Sequence, residues 1–266
     1  MLALLVIAGC GGEPARPPPA AAPQRGVYLE RMTWPAAEKA MREDAVVVIP
    51  LGAASKEHGL HLLLSNDLRL AEYFTERVVG AADVVVAPTL TYHYYPAFTQ
   101  YPGSTTLRLE TARDLTVDVV RSLARHGPRR FYVLNTGVST NKALEPAAQE
   151  LAKEHILLRY TKLLTALGPI EKEVSQQEGG THADELETSM MLYIAPDTCD
   201  MSKAVKDYSA NGGELTRDRD AGGTYSPTGA WGDPTLATRE KGERIVEALV
   251  AALLRDIAAL RTAPLP

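Results

Sequence analysis

The chain has 266 residues, 45% hydrophobic and 23% charged, with a formal net charge of −5 at pH 7. That length and apolar content support a full hydrophobic core, most simply in one large α/β domain. The acidic balance, and the lack of a basic cluster interleaved with aromatics, argue against nucleic acid or an anionic membrane surface as a partner.

Residues 1–9 are apolar and lead into Val6-Ile7-Ala8-Gly9-Cys10. This run is too short to span a bilayer and reads as the core of a secretion signal. Its end resembles a bacterial lipobox, with Cys10 as the lipid attachment. Residues 10–25 are Pro/Ala-rich and predict an extended tether, leaving 26–266 as the folded domain. The expected location is therefore the bacterial cell envelope, lipid-anchored and facing the periplasm, with the membrane contacted only through Cys10. The alternative is an apolar N-terminus with no targeting role. With Cys10 lipidated, Cys199 has no intrachain disulfide partner.

Thr33-Trp34-Pro35 predicts an N-cap and a short helix to about Arg42. Ala45 to Ile49 is a continuous β-branched run, as expected of a strand covered on both faces. A helix follows from Asp67 to about Val79, with Leu70, Phe74 and Val78 at helical spacing. Asp83 to Ala87 predicts a second buried strand. Thr91 to Thr106 is irregular and tyrosine-rich; it reads as a lid or pocket wall, or as a surface packed on another subunit. A helix over Leu109 to His126 closes at Gly127-Pro128, and Arg130 to Leu134 is a third strand. It ends in the polar loop 135–141. Ala143 to Lys153 predicts a helix and Ile156 to Tyr160 a fourth strand, and the alternation implies βαβ units with a parallel sheet. Glu171 to Gly180 is polar and unpatterned, Ala204 to Gly229 a second long loop, and Gly232-Asp233-Pro234 the start of a final helix to about Leu260, with Asp233 as its cap.

The stretch around which this is organised is Lys56-Glu57-His58-Gly59-Leu60-His61, continuing to Asp67. Imidazoles and carboxylates gather beside a strand end, where loops of parallel sheets converge on one crevice. Imidazole nitrogen and carboxylate oxygen are together the donor set for zinc, manganese or iron. The alternative is a loop whose histidines cap backbone groups. His61 is expected to be structural rather than a ligand, and His93, His126 and His155 to be surface or loop residues. Trp231 would either wall a pocket or pack under the last helix.

Four segments together resemble the creatininase (creatinine amidohydrolase) family. His58-Gly59-Leu60-His61-Leu62 with Leu64 and Asp67 resembles its Glu-x-His-Gly-Pro-His-Leu-Pro-Leu-x-x-Asp motif, and Pro102-Gly103-Ser104-Thr105 its Pro-Gly-Thr turn. His182 to Ser189 resembles His-Ala-Gly-Glu-x-Glu-Thr-Ser, and Gly232-Asp233-Pro234 the closing Gly-Asp-Pro. The resemblance covers roughly 45 to 260 and implies a three-layer α/β/α sandwich with a mainly parallel sheet. It also implies hydrolysis of a cyclic amide or related C–N bond with divalent metal, and a homo-oligomer.

By that resemblance His58 is a metal ligand, Asp67 the bridging aspartate and His182 a proton carrier, with Glu185 and Glu187 as acidic site residues. Two departures change the expectation. Lys56 stands where the family places its first-ligand glutamate, and the loop from Pro50 is one residue longer, so Glu57 could swing into the vacant place. The family's Asn-Gly-His-Gly-Gly-Asn loop appears as Asn135-Thr136-Gly137-Val138-Ser139-Thr140-Asn141, without its histidine. The expected site therefore holds one ion on His58, Asp67 and Glu57 or Glu187. Catalysis falls to His182, Glu185 and Lys56, the ammonium replacing the missing positive charge, and the substrate is a small-molecule amide. The alternative is a catalytically inactive binding lipoprotein on the same fold.

Overall fold

The structure, a computed structural model, describes residues 24–210, 213–220 and 222–266. The signal segment 1–9, Cys10 and all but the last two residues of the tether lie outside the described residues. Five strands form the main sheet: β1 (Val27–Tyr28), β2 (Val46–Leu51), β3 (Val85–Val86), β4 (Arg130–Asn135) and β5 (Leu157–Tyr160). Their order is β1-β3-β2-β4-β5, and every pairing is parallel. All six residues of β2 are buried, as its unbroken apolar run requires of a central strand covered on both faces.

Side chains alternate across a strand, so β2 feeds two cores at once. Val46 and Val48 face one side, with helices α2 (Asn66–Ala81), α5 (Leu163–Val174), α6 (Glu185–Ile194) and α7 (Arg239–Thr262) packed over them. Val47, Ile49 and Leu51 face the other, under α3 (Leu109–Ala124) and α4 (Asn141–Ala152), with Met41 just beyond α1 (Trp34–Ala40). The result is the expected three-layer α/β/α sandwich. A small parallel pair, β6 (Leu215–Thr216) with β7 (Thr224–Tyr225), lies inside the second long loop. Among the described residues no helix is long and apolar enough to cross a membrane.

Three expectations change. Helix α5 has no counterpart in the reading by sequence. Leu163, Leu167, Ile170 and Val174 recur at helical spacing, and the helix forms although Gly168 and Pro169, both unfavourable inside a helix, stand within it. The final helix begins at Arg239, later than Gly232-Asp233-Pro234: Asp233 caps a single 3-10 turn over Pro234–Leu236, and Thr238 caps α7 through Lys241 N. His93 is buried, bonded through Nε2 to Thr116 Oγ1 at 3.1 Å, and burial lowers its pKa to about 4.

Helices α6 and α7 meet at Gly242, where an added Cβ would run into the carbonyl oxygen of Ser189. Glycine inside a helix is usually improved by alanine, by about 1 kcal/mol. Here the contact reverses the sign. Gly242→Ala is expected to lower stability by about 1–3 kcal/mol, the range for overpacking a tight contact. Chemical denaturation measures it, and a gain in stability would refute the packing argument.

Candidate active site

After β2 the chain leaves the sheet edge towards β3, and after β4 it leaves in the opposite direction towards β5, so a crevice opens between these two strand ends. The loop 52–65 crosses it. Gly52 passes so close to the backbone of Asp67 that a Cβ would overlap its carbonyl, which brings the start of α2 against the end of β2. The turn at 102–105 clamps the same loop: Glu57 N donates to Ser104 Oγ at 2.9 Å and Thr105 N to Ser55 O at 3.0 Å. From the other side, His182 pairs with Trp231 through the backbone, Trp231 N donating to His182 O at 2.8 Å. Ala183 follows with φ of 46°, a left-handed conformation that costs an L-residue roughly 1–2 kcal/mol. Asp184 then caps α6 by accepting from Glu187 N at 2.9 Å.

Six ionisable side chains meet there. Lys56 Nζ lies 2.6 Å from Asp67 Oδ2, and His58 Nε2 lies 2.8 Å from Asp67 Oδ1 and 3.4 Å from Glu187 Oε1. His182 Nδ1 stands 3.9 Å from Glu187 Oε2, and its Nε2 contacts Glu57 Oε2 at 3.1 Å. Glu57 Oε1 also accepts from Gly59 N. Lys56 Nζ sits 4.7 Å from the centre of the Phe98 ring, whose other neighbour is the His182 ring at 4.4 Å.

Ligand-type atoms of His58, His182 and Glu187 converge within 4.8 Å of one another. The far nitrogen of each histidine is held by a pure acceptor: His58 Nδ1 by the Lys56 carbonyl at 2.9 Å and His182 Nε2 by the Glu57 carboxylate. Those contacts suit a proton on each far atom and leave the near atoms, His182 Nδ1 and His58 Nε2, facing Glu187, as in histidines that ligate metals. His58 Nε2 also lies 2.8 Å from Asp67 Oδ1, so it gives up a proton when it takes an ion. The donor chemistry thus fits one divalent ion of the zinc or manganese type.

Burial and Lys56 push the His58 pKa down, but Asp67 and Glu187 outweigh them and raise it to about 9. Burial pushes Glu187 up, and His58, His182 and Lys56 pull it well below the usual carboxylate range. Asp67 shows the same balance and is also held low, chiefly by Lys56 and His58. Burial raises Asp184 to about 6, against its bonds to Glu187 N and Gln177.

The structure brings Lys56, Glu57, His58, Asp67, His182 and Glu187 together and leaves Glu185 out. Glu185 points away from the crevice: it pairs with Lys241 Nζ and accepts from Gln176 N at 2.8 Å and Gln177 N at 2.7 Å. Its place on the first turn of α6, two residues from Glu187, turns it to another side of the helix. Asp67, expected as a bridging ligand, is occupied by Lys56 and His58. Glu57, expected as a ligand, stands behind His182 rather than in the converging trio. His61 is structural, with Nε2 on Thr188 Oγ1 at 2.8 Å and a pKa lowered by burial to about 4.

Two contributors were missed. Asn66 Nδ2 donates to Glu187 Oε1 at 2.9 Å, and Phe98 flanks both Lys56 and His182. Asn66 sits beside Asp67 in the motif and Phe98 inside the aromatic stretch, so adjacency was the available signal. The loop 135–141 supplies no charged donor. Asn135 instead closes it, with Nδ2 donating to Gly137 O at 2.7 Å and Oδ1 accepting from Thr140 Oγ1 at 2.8 Å. Lys56, His182 and Glu187 of the cluster line a cavity of about 420 Å³, which Trp231 also lines.

The sequence model of the creatininase family, described as creatinine amidohydrolase, matches residues 30–257. The chain belongs to the creatininase family. It is 28% identical over 246 residues to the creatinine amidohydrolase of Pseudomonas putida, covering 85% of this chain and 94% of that one. It is 31% identical over 213 residues to the mycofactocin precursor peptide peptidase of Mycolicibacterium smegmatis, covering 77% and 81%. The 3-dehydro-scyllo-inosose hydrolase of Thermotoga maritima is 28% identical over 262 residues, covering 87% and 84%. Among solved structures, a creatininase described as the manganese form superimposes with a TM-score of 0.76 at 25% identity, covering 90% of this chain and all of that one. Family relatives are thus named as hydrolases, with manganese and zinc forms among the solved structures, and the trio of donors here fits a divalent metal.

Glu185 is buried and pairs with the half-buried Lys241, outside the converging trio. Glu185→Gln is expected to cost about 3 kcal/mol of stability, as removal of one partner of a buried ion pair does, and to leave metal content unchanged. Denaturation and elemental analysis of the same sample test this, and loss of metal would return Glu185 to the site.

Proposed function

We propose that this chain is a single-ion amidohydrolase that cleaves a C–N bond of a small amide. The observation that carries the reading is the convergence of His58, His182 and Glu187, each histidine oriented by an acceptor on its far nitrogen. An ion bound there supplies Lewis acidity, which polarises a carbonyl and makes water acidic near neutral pH. Formal charge favours one ion. With both histidines neutral as ligands, Glu57, Asp67 and Glu187 carry three negative charges and Lys56 one positive, so one divalent ion brings the cluster to neutrality and two would leave it at plus two. A glutamate at position 56 would have reversed that preference.

Lys56 is anchored by Asp67 but also lines the cavity, so its ammonium faces a substrate carbonyl from a fixed place. There it stabilises the oxygen that gains negative charge as water adds, a role worth most in a buried setting. The water oxygen joins the carbonyl carbon, the C–N bond breaks, and one water proton goes to the departing nitrogen. Glu187 is on the cavity wall and would carry that proton on an oxygen not bound to the ion, while Glu57 keeps His182 aligned as a ligand.

Asp67 retains His58 as a partner at 2.8 Å when Lys56 is replaced, and loss of the ion pair should cost about 3–5 kcal/mol of stability. Elemental analysis of the purified protein is expected to find about one equivalent of zinc, manganese or iron, lost in His58→Ala and Glu187→Ala. Lys56→Met should keep the ion and lower kcat about 10²- to 10³-fold on any amide the parent chain hydrolyses. Two equivalents would overturn the charge argument. No ion after incubation with excess metal would overturn the hydrolase and favour a binding protein.

The N-terminal sequence supports tethering of this hydrolase to a bacterial envelope through Cys10. Mass spectrometry of membrane extracts should find a lipidated Cys10 N-terminus, and an unmodified Met1 N-terminus would remove the anchor.

A further inference from the structure

The cavity beside the cluster is far from uniform. Around Lys56, His182 and Glu187 it is charged, but its inner wall is Leu70, Phe74, Leu186, Met190 and Leu249. These are buried members of the core cluster between the sheet and α2, α6 and α7. The outer flank is α5, through Leu163, Leu164 and Leu167, with Val138 of the loop after β4 opposite. Leu164 and Val138, at the outer rim, are 45% and 40% exposed and so open to a ligand entering this arm. A volume of about 420 Å³ is in the range that encloses a drug-sized ligand.

We infer that the substrate carries a bulky aliphatic group, and that this apolar arm of the cavity is its binding site. The inference rests on the amidohydrolase reading and adds a substrate class to it: an amide joined to an aliphatic chain, with the C–N bond at the charged end and the chain running towards Leu249. Leucine and methionine walls offer an alkyl chain dispersion contacts and no hydrogen bonds, and water held there finds few polar partners. A small polar heterocycle would leave this arm unfilled. Helix α5 and the altered loop 135–141 build the flank, and Val138 lies in the loop where the family motif has its histidine.

Two series of amides test this on the metal-loaded protein. One is lengthened on the carbonyl side from acetyl to octanoyl, the other on the nitrogen side from methyl to hexyl. In one series kcat/KM is expected to rise about three- to fourfold per methylene until the cavity fills, the factor for burying a CH₂ group. Calorimetric Kd values of the same amides on chelator-treated protein should fall in step. Leu164→Glu, at an exposed rim position, should fold normally and reduce the gain to less than twofold per methylene. Hydrolysis that is indifferent to length in both series, with flat Kd values, overturns the aliphatic site and leaves the hydrolase standing. Length-dependent binding with no turnover keeps the site and overturns the hydrolase. Neither binding nor turnover overturns both.

Discussion

A buried ammonium against a buried carboxylate is the constraint on which the rest of the site depends. Lys56 and Asp67 are both nearly without solvent, 2.6 Å apart. Taking either charge from water alone would cost several kcal/mol, and removing one partner of such a pair typically costs about 3–5 kcal/mol. Each therefore fixes the other. Asp67 is placed by the close approach of Gly52 to α2, and Lys56 by the loop that Ser104 and Thr105 clamp. With Asp67 committed to Lys56, its other oxygen aligns His58, and His58 in turn faces Glu187. The order of dependence runs from the backbone approach at Gly52 to Asp67, and from Asp67 through one oxygen to Lys56 and through the other to His58 and the donor trio.

That dependence explains why Lys56 alters more than one ligand. A glutamate at 56 would add a donor and a negative charge, and the aspartate beside it would be free to share between two ions. The lysine removes both conditions at once. It is also consistent with the loop 135–141, which satisfies Asn135 internally and offers no imidazole. The two departures from the family pattern act on the same side of the site and compensate each other: one removes a donor, the other installs a fixed positive charge.

Much of this was legible in the sequence because the signals were local. The continuous run Val46 to Ile49 could only be a central strand, and the motif after it announced His58 and Asp67 by residue type and position. His182 and Glu187 followed from resemblance in the third segment. What was not legible depended on direction. Glu185 and Glu187 are two apart on one helix, and only the docking of α7 through Lys241 decides that one faces the core and the other the crevice. Glu57 could be counted into a ligand position along the chain, but the turn of the loop sets it behind His182. Helix α5 was hidden by Gly168-Pro169, and with it the apolar flank of the cavity.

The charged and apolar halves of the cavity also belong together physically. Coulomb attraction strengthens as water is excluded, so an ammonium or imidazole at the wall acts more strongly on a developing charge when the space beside it is dry. An alkyl group seated between α5 and the core would expel water from the flank of Lys56 and His182 at the moment the amide reaches them. Binding energy from the remote chain would then hold the reacting carbonyl in place, where interactions far from the bond being broken can raise turnover as well as affinity. On the proposed reading, substrate choice in this chain would be set by what α5 and the loop after β4 present to the crevice, while an ion, Lys56 and Glu187 would carry the chemistry. The identity shared with the named relatives, 25–31%, is enough to keep the sandwich and the donor loops and leaves that flank free to change.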